Sequence, residues 1–287
     1  MRKIKCWGIT RELSHSPNRE SDDYRIIQLV AEKLQSATGC LVELLTVPEV
    51  ESHPIAMPDM AFLMCEEVSI LRFLEPWQLQ GVLMINTPHS IRNTFRSYTL
   101  NLLKSFNFYP QSVLVSTDDQ ELNLDMFHSV WIKRGDYHAT QKSDVVLARS
   151  SDEIKLVLAE FKMRGIAQAL IQKHVEGDLI KFYGVGKNWF KWFYHKDQNL
   201  KNYKFDEKDL LTKVYHATQT LGLEIWGGDA IVTEDGEIYL IDLNAWPSFA
   251  LFREEAAIQI VDYLIGKIDF IEQAKELNFH SLELAHI

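Results

Sequence analysis

The chain has 287 residues, of which 46% are hydrophobic and 24% charged, values typical of a globular protein that buries a core. Its formal net charge of −10 argues against a nucleic-acid-binding protein, which usually carries a basic surplus. Apolar runs are too short for a membrane helix, the N-terminus is too polar for a signal peptide, and the three cysteines lack metal-ligand spacing. We therefore expect a cytoplasmic protein with reduced cysteines and a small-molecule substrate, and no nucleic-acid or membrane partner. The sequence does not indicate an oligomeric state.

The first 88 residues alternate predicted strands with predicted helices. Short apolar runs predict strands over residues 4–9, 40–46, 60–65 and 82–86. Apolar residues at helical spacing predict helices over residues 22–35 and 69–79. This alternation predicts a parallel sheet with crossover helices.

The pattern changes after residue 88. It predicts helices over residues 91–106, 151–164, 207–221 and 253–264, and strands over residues 112–116, 130–133, 145–148, 169–172 and 179–185. A hairpin is expected over residues 229–244, and the aromatic run 188–194 is interpreted as a buried strand. This part is predicted to be α+β with antiparallel pieces. Because no Pro-, Gly- or Ser-rich linker interrupts the chain, any lobes are expected to pack directly on each other.

The predicted hairpin carries three oxygen-bearing side chains at its open end. Asp235 and Gly236 suit the two central positions of a type I′ turn, which places Asp229 opposite Asp242. Asn244 lies two residues further on and shares that face. Two facing carboxylates repel unless a cation lies between them, and a few hard oxygen ligands suit Mg²⁺. The sequence therefore predicts a magnesium site here.

Three further elements precede the hairpin. One predicted strand ends at Lys133 and enters a polar loop, and another runs through Gln172 into a Gly-containing turn. Lys181 lies inside an apolar strand, which is costly unless the side chain faces a cleft or a partner. In order and spacing, the four elements resemble the ATP-grasp superfamily over roughly residues 80–262. The resemblance implies an N-terminal α/β lobe (residues 1–88) and two α+β lobes (89–172 and 173–287) that clamp ATP between them.

The resemblance also implies a role for each matching residue. Lys133 would reach the ATP phosphates, with His138 in the loop after it, and Lys181 would face the phosphates or the second substrate. Gln172 would lie near the adenine amino group, and the hinge that reads the adenine edge would comprise Lys173, His174 and Val175. Either Glu176 or Asp178 would accept the ribose hydroxyls. Asp229, Asp242 and Asn244 would hold one or two Mg²⁺ ions that bridge the phosphates, where positioning and charge neutralisation drive phosphoryl transfer.

The closing motif Asp242-Leu-Asn244-Ala-Trp-Pro favours one branch of the superfamily, since it is similar to inositol-polyphosphate kinases of the trisphosphate 5/6-kinase type. The sequence interpretation is therefore Mg·ATP-dependent phosphoryl transfer to a polyol phosphate, with Lys181 and Arg253 as catalytic residues. The alternative is a carboxylate–amine ligase that acts through an acyl phosphate, and a non-catalytic nucleotide sensor is the third class. A polyphosphate acceptor needs a basic pocket, for which the candidates are Arg11, His15, Arg19, Arg92, Arg96, His138, Lys142 and Arg253.

Overall fold

The computed structural model describes residues 3–52, 57–119 and 129–284, with only the backbone described for residues 274–284. In chain order the strands are β1 (Lys5–Ile9), β2 (Leu41–Leu45), β3 (Met60–Leu63), β4 (Leu83–Ile85), β5 (Ser112–Ser116), β6 (Val130–Arg134), β7 (Val145–Ala148), β8 (Gln168–Lys173), β9 (Asp178–Val185), β10 (Trp189–Tyr194), β11 (Ile225–Val232) and β12 (Ile238–Ala245). The α-helices are α1 (Glu20–Thr38), α2 (Val47–Ser52), α3 (Val68–Leu79), α4 (Pro88–Arg92), α5 (Arg96–Leu103), α6 (Ser151–Met163), α7 (Glu207–Leu221) and α8 (Arg253–Leu284). Short 3₁₀ helices occur at Leu13–His15 and Lys142–Asp144.

The chain divides into two compact units, residues 1–88 with 248–287, and residues 89–247. Residues 248–287, which the sequence analysis places in a third lobe, thus group with the N-terminal residues. The three-lobe division with boundaries at 88/89 and 172/173 stays a prediction.

The first unit is built on a parallel sheet with strand order β2-β1-β3-β4. Its central strand is closely packed, because a Cβ at Gly8 would lie 2.4 Å from the Phe62 ring. Helix α1 ends at Gly39, whose φ of 67° is left-handed and favours glycine at this position. Helix α8 packs against α1 in the same unit. The predicted parallel sheet with crossover helices is confirmed.

The second unit contains two antiparallel sheets, with strand orders β5-β8-β6-β7 and β10-β9-β11-β12. Helix α6 packs on the first sheet around a core that includes Ile132, Phe161 and Ile171. In the second sheet, Trp226 is fully buried across Gly184, where a Cβ would meet the indole ring at 2.1 Å. The predicted antiparallel α+β character of this part is therefore confirmed.

Four local expectations differ from the structure. The helix predicted over residues 91–106 is broken into α4 and α5, because Phe95 adopts an extended conformation with ψ of 135°. The strand over residues 188–194 forms as β10, but only Trp189 is buried, since β10 is an edge strand. Helix α2 was not predicted, and α8 continues well past residue 264. None of the helices among the described residues is both long enough and apolar enough to span a membrane.

Candidate functional site

Lys133 lies at the centre of the predicted nucleotide site and is only 5% exposed. Its Nζ donates to Gln172 Oε1 at 2.9 Å and to the backbone oxygen of Ile241 at 2.8 Å. Burial lowers its pKa to about 8, although the carboxylates of Asp242 and Asp229 act in the opposite direction. Because Lys133 lies in β6 and Ile241 in β12, this ammonium group joins the two sheets of the second unit.

The lowered pKa of Lys133 predicts a pH-dependent stability. The free lysine in the unfolded chain titrates near 10.4, so between about pH 8 and 10.4 the unfolded state binds more protons and folding becomes more favourable as the pH rises. We expect the free energy of unfolding of the wild type to rise across this window relative to Lys133→Met, by at most on the order of 3 kcal/mol. Urea denaturation of both proteins from pH 7 to 10 measures this, and a constant difference would contradict it.

Gln172 is 1% exposed and its amide is occupied inside the unit. Besides accepting from Lys133, it donates through Nε2 to Ser112 Oγ at 3.2 Å. Tyr109 lies beside Gln172 and Ser112, and burial raises the pKa of its hydroxyl. Gln172 therefore orients Lys133, and Tyr109 and Ser112 were missed by the sequence analysis because no motif marks them.

The two candidate ribose acceptors after the hinge, Asp178 and Glu176, differ in burial and in their hydrogen bonds. Asp178 is 1% exposed, and its two carboxylate oxygens accept the backbone N–H groups of Lys201 at 2.7 Å and Tyr203 at 2.9 Å. Glu176, in contrast, is exposed. Between them, Gly177 has no room for a side chain, since a Cβ would lie 2.2 Å from the backbone oxygen of Val232. Asp178 therefore holds the loop that precedes α7, and both of its carboxylate oxygens already accept hydrogen bonds.

The remaining hinge residues, Lys173 to Val175, lie at the end of β8 in the sheet with strand order β5-β8-β6-β7. The backbone N–H of Lys173 donates to Gln111 at 2.8 Å and that of His174 to Ser129 at 3.0 Å. Trp131 Nε1 donates to His174 Nδ1 at 3.0 Å. Burial lowers the pKa of His174, which agrees with a neutral ring that accepts this bond. The neighbouring Val175 is half-buried.

In the acidic hairpin Asp229 and Asp242 face each other as expected, but the turn that joins the two strands differs from the predicted one. Asp229 pairs with Asp242 in the β11–β12 register, and Asn244 Nδ2 lies 3.5 Å from Asp242 Oδ2. The expected two-residue turn is wrong: Thr233 N–H donates to the Glu237 oxygen, so three residues form the turn, with Gly236 at φ of 84°. A β-bulge between Asp229 and Ala230 shifts the register back by one residue.

Lys181 faces this hairpin, as expected of a lysine inside an apolar strand. It lies opposite Asp229 in the β9–β11 register, and its Nζ lies 2.7 Å from Asp229 Oδ1. Both side chains are partly exposed, at 30% and 23%. The lysine therefore neutralises one of the two carboxylates. Together with Asp242 and Asn244, Asp229 offers only oxygen ligands, a donor set that suits Mg²⁺.

The loop that follows Lys133 is held by buried charges. Arg134, 7% exposed, forms a two-point ion pair with Asp136 at 2.6 and 2.9 Å. Asp144 is fully buried; it binds Arg164 and accepts the backbone N–H of Thr140 at 2.8 Å. Against its burial, the hydrogen bond from Arg164, the backbone N–H groups of Thr140 and Gln141 and the charge of Arg134 hold the pKa of Asp144 down to about 2. His138 lies in this loop and is half-buried.

Three of the basic residues expected to form a pocket for a polyphosphate are engaged by other groups. Arg11 is 12% exposed and ion-paired with Asp23 and Glu66, at 3.1 and 2.9 Å. Arg96 is buried and donates to the backbone oxygens of Arg134 and Tyr137, both at 3.1 Å. The predicted catalytic Arg253 belongs to the first unit, where it forms an ion pair with Asp22.

Comparisons with known proteins bear on the fold of the chain. No protein-family profile and no curated protein matches the sequence. The chain is similar to a D-alanine–D-alanine ligase from Bacillus anthracis complexed with ATP, with a TM-score of 0.70, 12% identity, and 94% of this chain and 99% of that chain covered. It is also similar to the ATP-grasp ligase PsnB complexed with a minimal precursor (TM-score 0.66, 16% identity, 93% and 100% covered). A third similar structure is a RimK domain ATP-grasp protein from Sphaerobacter thermophilus (TM-score 0.68, 13% identity, 91% and 100% covered).

These likenesses span nearly the whole chain, although identity is low. The chain therefore has the ATP-grasp fold, as the sequence motifs indicated. None of the three structures reported above is an inositol-polyphosphate kinase, so the similarity of the closing motif to those kinases is not confirmed.

Proposed function

We propose that this protein is a Mg·ATP-dependent carboxylate–amine ligase. The observation that carries the nucleotide part is the convergence of two lysines on an acidic hairpin within one compact unit. Lys133 bonds to the backbone oxygen that precedes Asp242, and Lys181 bonds to Asp229. Such a set of cations and oxygen ligands binds phosphates and their metal ion.

Each residue of the site has a role in this proposal. Lys133, oriented by Gln172, donates to the ATP phosphates from the first sheet, and Lys181 moves from Asp229 to a phosphate oxygen. Asp229, Asp242 and Asn244 would hold Mg²⁺, which would supply positive charge next to the phosphates. Glu176 accepts the ribose hydroxyls, because Asp178 is already engaged by two backbone N–H groups. The hinge from Lys173 to Val175 receives the adenine, and His138 approaches the phosphates from its loop.

The chemistry requires two transfers. A carboxylate oxygen of the first substrate attacks the γ-phosphorus, and ADP leaves, so that an acyl phosphate forms. The nitrogen of an amine then attacks the acyl carbon, the bond from that carbon to the phosphate oxygen breaks, and the nitrogen loses a proton to solvent. The products are ADP, inorganic phosphate and an amide. Ligase chemistry is supported by the ligases to which the chain is similar in fold.

A kinase is the second candidate, and the Asp242-Leu-Asn244 motif is the observation that favours it. The compensated charge of Arg11 and the carbonyl contacts of Arg96 weigh against it, because a polyphosphate acceptor needs free cations. For this reason we place the ligase first.

The fate of the phosphate distinguishes the two candidates. We expect ADP and free inorganic phosphate to be released in equal amounts, and only when a carboxylate and an amine are both present. The measurement follows ADP and phosphate in parallel over panels of amino acids, short peptides and inositol phosphates, with Asp242→Asn as the control for contaminating ATPases. Release of ADP without free phosphate, in the presence of an inositol phosphate, would support the kinase function instead.

A further inference from the structure

The sheet with strand order β10-β9-β11-β12 has two unlike faces, because successive residues of a strand point to opposite sides. On one face, Trp226 of β11 packs against Tyr215 of α7 and Phe190 of β10, with ring centroids 6.1 Å apart in both pairs. Lys191 follows Phe190 and therefore lies on the opposite face. Asp229, three residues after Trp226, lies on that opposite face too, which we call the site face.

A second lysine lies beside Lys181 on the site face. In the β9–β10 ladder Lys191 pairs with Tyr183, and Phe193 pairs with Lys181. The two lysines are therefore diagonal neighbours on adjacent strands, a relation that separates residues by about 7–8 Å. The ring centroids of Tyr183 and Phe193 lie 5.3 Å apart, which agrees with a shared face. Because lysine carries its charge on a flexible four-carbon stem, both ammonium groups can reach neighbouring anions.

The charges of the site face are divided between its two edges. Asp229 and Asp242 lie on β11 and β12, whereas Lys181 and Lys191 lie on β9 and β10. Lys133 donates to a backbone oxygen of β12 and so meets the sheet at its acidic edge. In the proposed function the phosphates and their metal ion belong at that edge. The β10 edge then offers positive charge to a second anion.

The proposed chemistry requires such a second anion. The carboxylate must approach the γ-phosphate, and the two anions repel each other unless a positive group lies beside them. Lys181, which the proposed function assigns to a phosphate oxygen, cannot serve the carboxylate as well. Lys191 lies one strand further from the acidic hairpin and next to Lys181, which is the position that an incoming carboxylate needs.

Aromatic rings accompany this lysine. Phe193 is partly exposed on the site face, and Tyr183, which is 9% exposed, packs against it. Small-molecule sites combine apolar and aromatic walls with a few charged groups that fix the orientation of the ligand. The ring pair next to Lys191 therefore suits an apolar group that carries a carboxylate.

We propose that Lys191 binds the carboxylate of the first substrate, and that Phe193 and Tyr183 pack against the apolar group that bears it. The assignment deepens the proposed function and rests on it for the identification of this molecule as the group that attacks the γ-phosphorus. Binding itself requires no turnover, so it can be tested separately.

Two probes of nearly the same shape test the charge requirement. We expect ligand-observed NMR titrations of the full chain, with ADP and Mg²⁺ present, to show saturable binding of 3-phenylpropionate. The neutral amide 3-phenylpropanamide will bind about tenfold more weakly, because it lacks the charge that Lys191 attracts. Equal binding of the two probes, or no binding of the carboxylate to folded protein, would overturn the proposal.

Matched variants locate the binding. We expect Lys191→Met to bind 3-phenylpropionate about tenfold more weakly, which corresponds to about 1.4 kcal/mol. Lys191→Arg keeps the charge and should retain most of the affinity. Lys196→Met, at an exposed position beyond the end of β10, serves as the control and will bind as the wild type does. If Lys191→Met equals this control, Lys191 is a solvated charge of an edge strand and not a ligand of the substrate.

The ring pair has its own test. Phe193→Leu keeps an apolar side chain but removes one ring, and we expect about threefold weaker binding of 3-phenylpropionate with acetate binding unchanged. Equal affinity of Phe193→Leu and the wild type for 3-phenylpropionate would exclude the rings from the site.

ATP binding distinguishes Lys191 from Lys181. We expect Lys191→Met to bind Mg·ATP as the wild type does, in contrast to Lys181→Met, because the phosphates belong at the acidic edge. Weaker ATP binding together with unchanged binding of 3-phenylpropionate would assign Lys191 to the nucleotide and overturn the proposal.

This proposal and the proposed function fail in different ways. Release of phosphate from ATP that depends on a carboxylate and an amine, with a KM for the carboxylate unaffected by Lys191→Met, would support the ligase and exclude Lys191 from the substrate site. Conversely, charge-selective carboxylate binding that Lys191→Met abolishes, in a protein that releases no phosphate, would support the binding site and reject the ligase.

Discussion

Replacement of Asp242 by asparagine will keep the fold and lower turnover by about 10²–10³-fold, the loss typical of removing one group that stabilises transition-state charge. Asp242 faces Asp229 across the β11–β12 ladder, and both are partly exposed, so the variant loses an anionic ligand without disturbing the core. Asparagine is nearly isosteric and keeps one acceptor oxygen. Initial rates of ATP consumption at increasing Mg²⁺ measure the effect.

The same hairpin provides a control for this variant. Asp235 lies in its turn, at the end away from the site, and Asp235→Asn makes the same chemical change there. We expect Asp235→Asn to retain wild-type turnover. Full activity of Asp242→Asn at ordinary Mg²⁺ would remove Asp242 from the metal site.

Replacement of Lys133 or Lys181 by methionine will weaken ATP binding by roughly 1–3 kcal/mol each, as expected for the loss of a charge-assisted hydrogen bond. Lys133 is preorganised by Gln172 and the Ile241 oxygen, and Lys181 by Asp229, so neither needs a large rearrangement to reach a phosphate. Methionine retains most of the apolar stem. Calorimetric titration of the full chain with ATP and Mg²⁺ measures both losses.

Lys155, an exposed lysine of α6, offers the control, and Lys155→Met should bind ATP as the wild type does. Unchanged ATP affinity in both Lys133→Met and Lys181→Met would exclude these lysines from the nucleotide site. A loss in only one of them would retain that lysine alone.

The hairpin shows how a correct contact can follow from an incorrect turn. A two-residue turn at Asp235 and Gly236 predicts that Asp229 lies opposite Asp242. The structure has a three-residue turn and a bulge at Asp229, and these two one-residue shifts cancel. Glycine at positive φ suits either turn, so the residue types could not distinguish them.

Much of the secondary structure, the fold and part of the candidate site could be predicted from local patterns in the sequence. Apolar periodicity indicated the four strands and the helices α1 and α3 of the first 88 residues, although not α2, and it indicated the ends of α7, since these patterns are local. The cost of a lysine in an apolar strand was enough to mark Lys181, and the acidic residues of one hairpin marked the candidate metal site. The order of these elements was enough to indicate the ATP-grasp fold.

Only the tertiary structure decided how distant polar groups are used. The packing of the loop before α7 engages Asp178 with the backbone of Lys201 and Tyr203, which is the reason for our proposal of Glu176 at the ribose. In the folded chain Gln172 accepts a hydrogen bond from Lys133. The charge of Arg11 is likewise balanced by ion pairs with Asp23 and Glu66. The physical reason is the same in each case. The availability of a charged or hydrogen-bonding side chain depends on partners that lie far away in the chain, and these partners meet only when the sheets and loops pack.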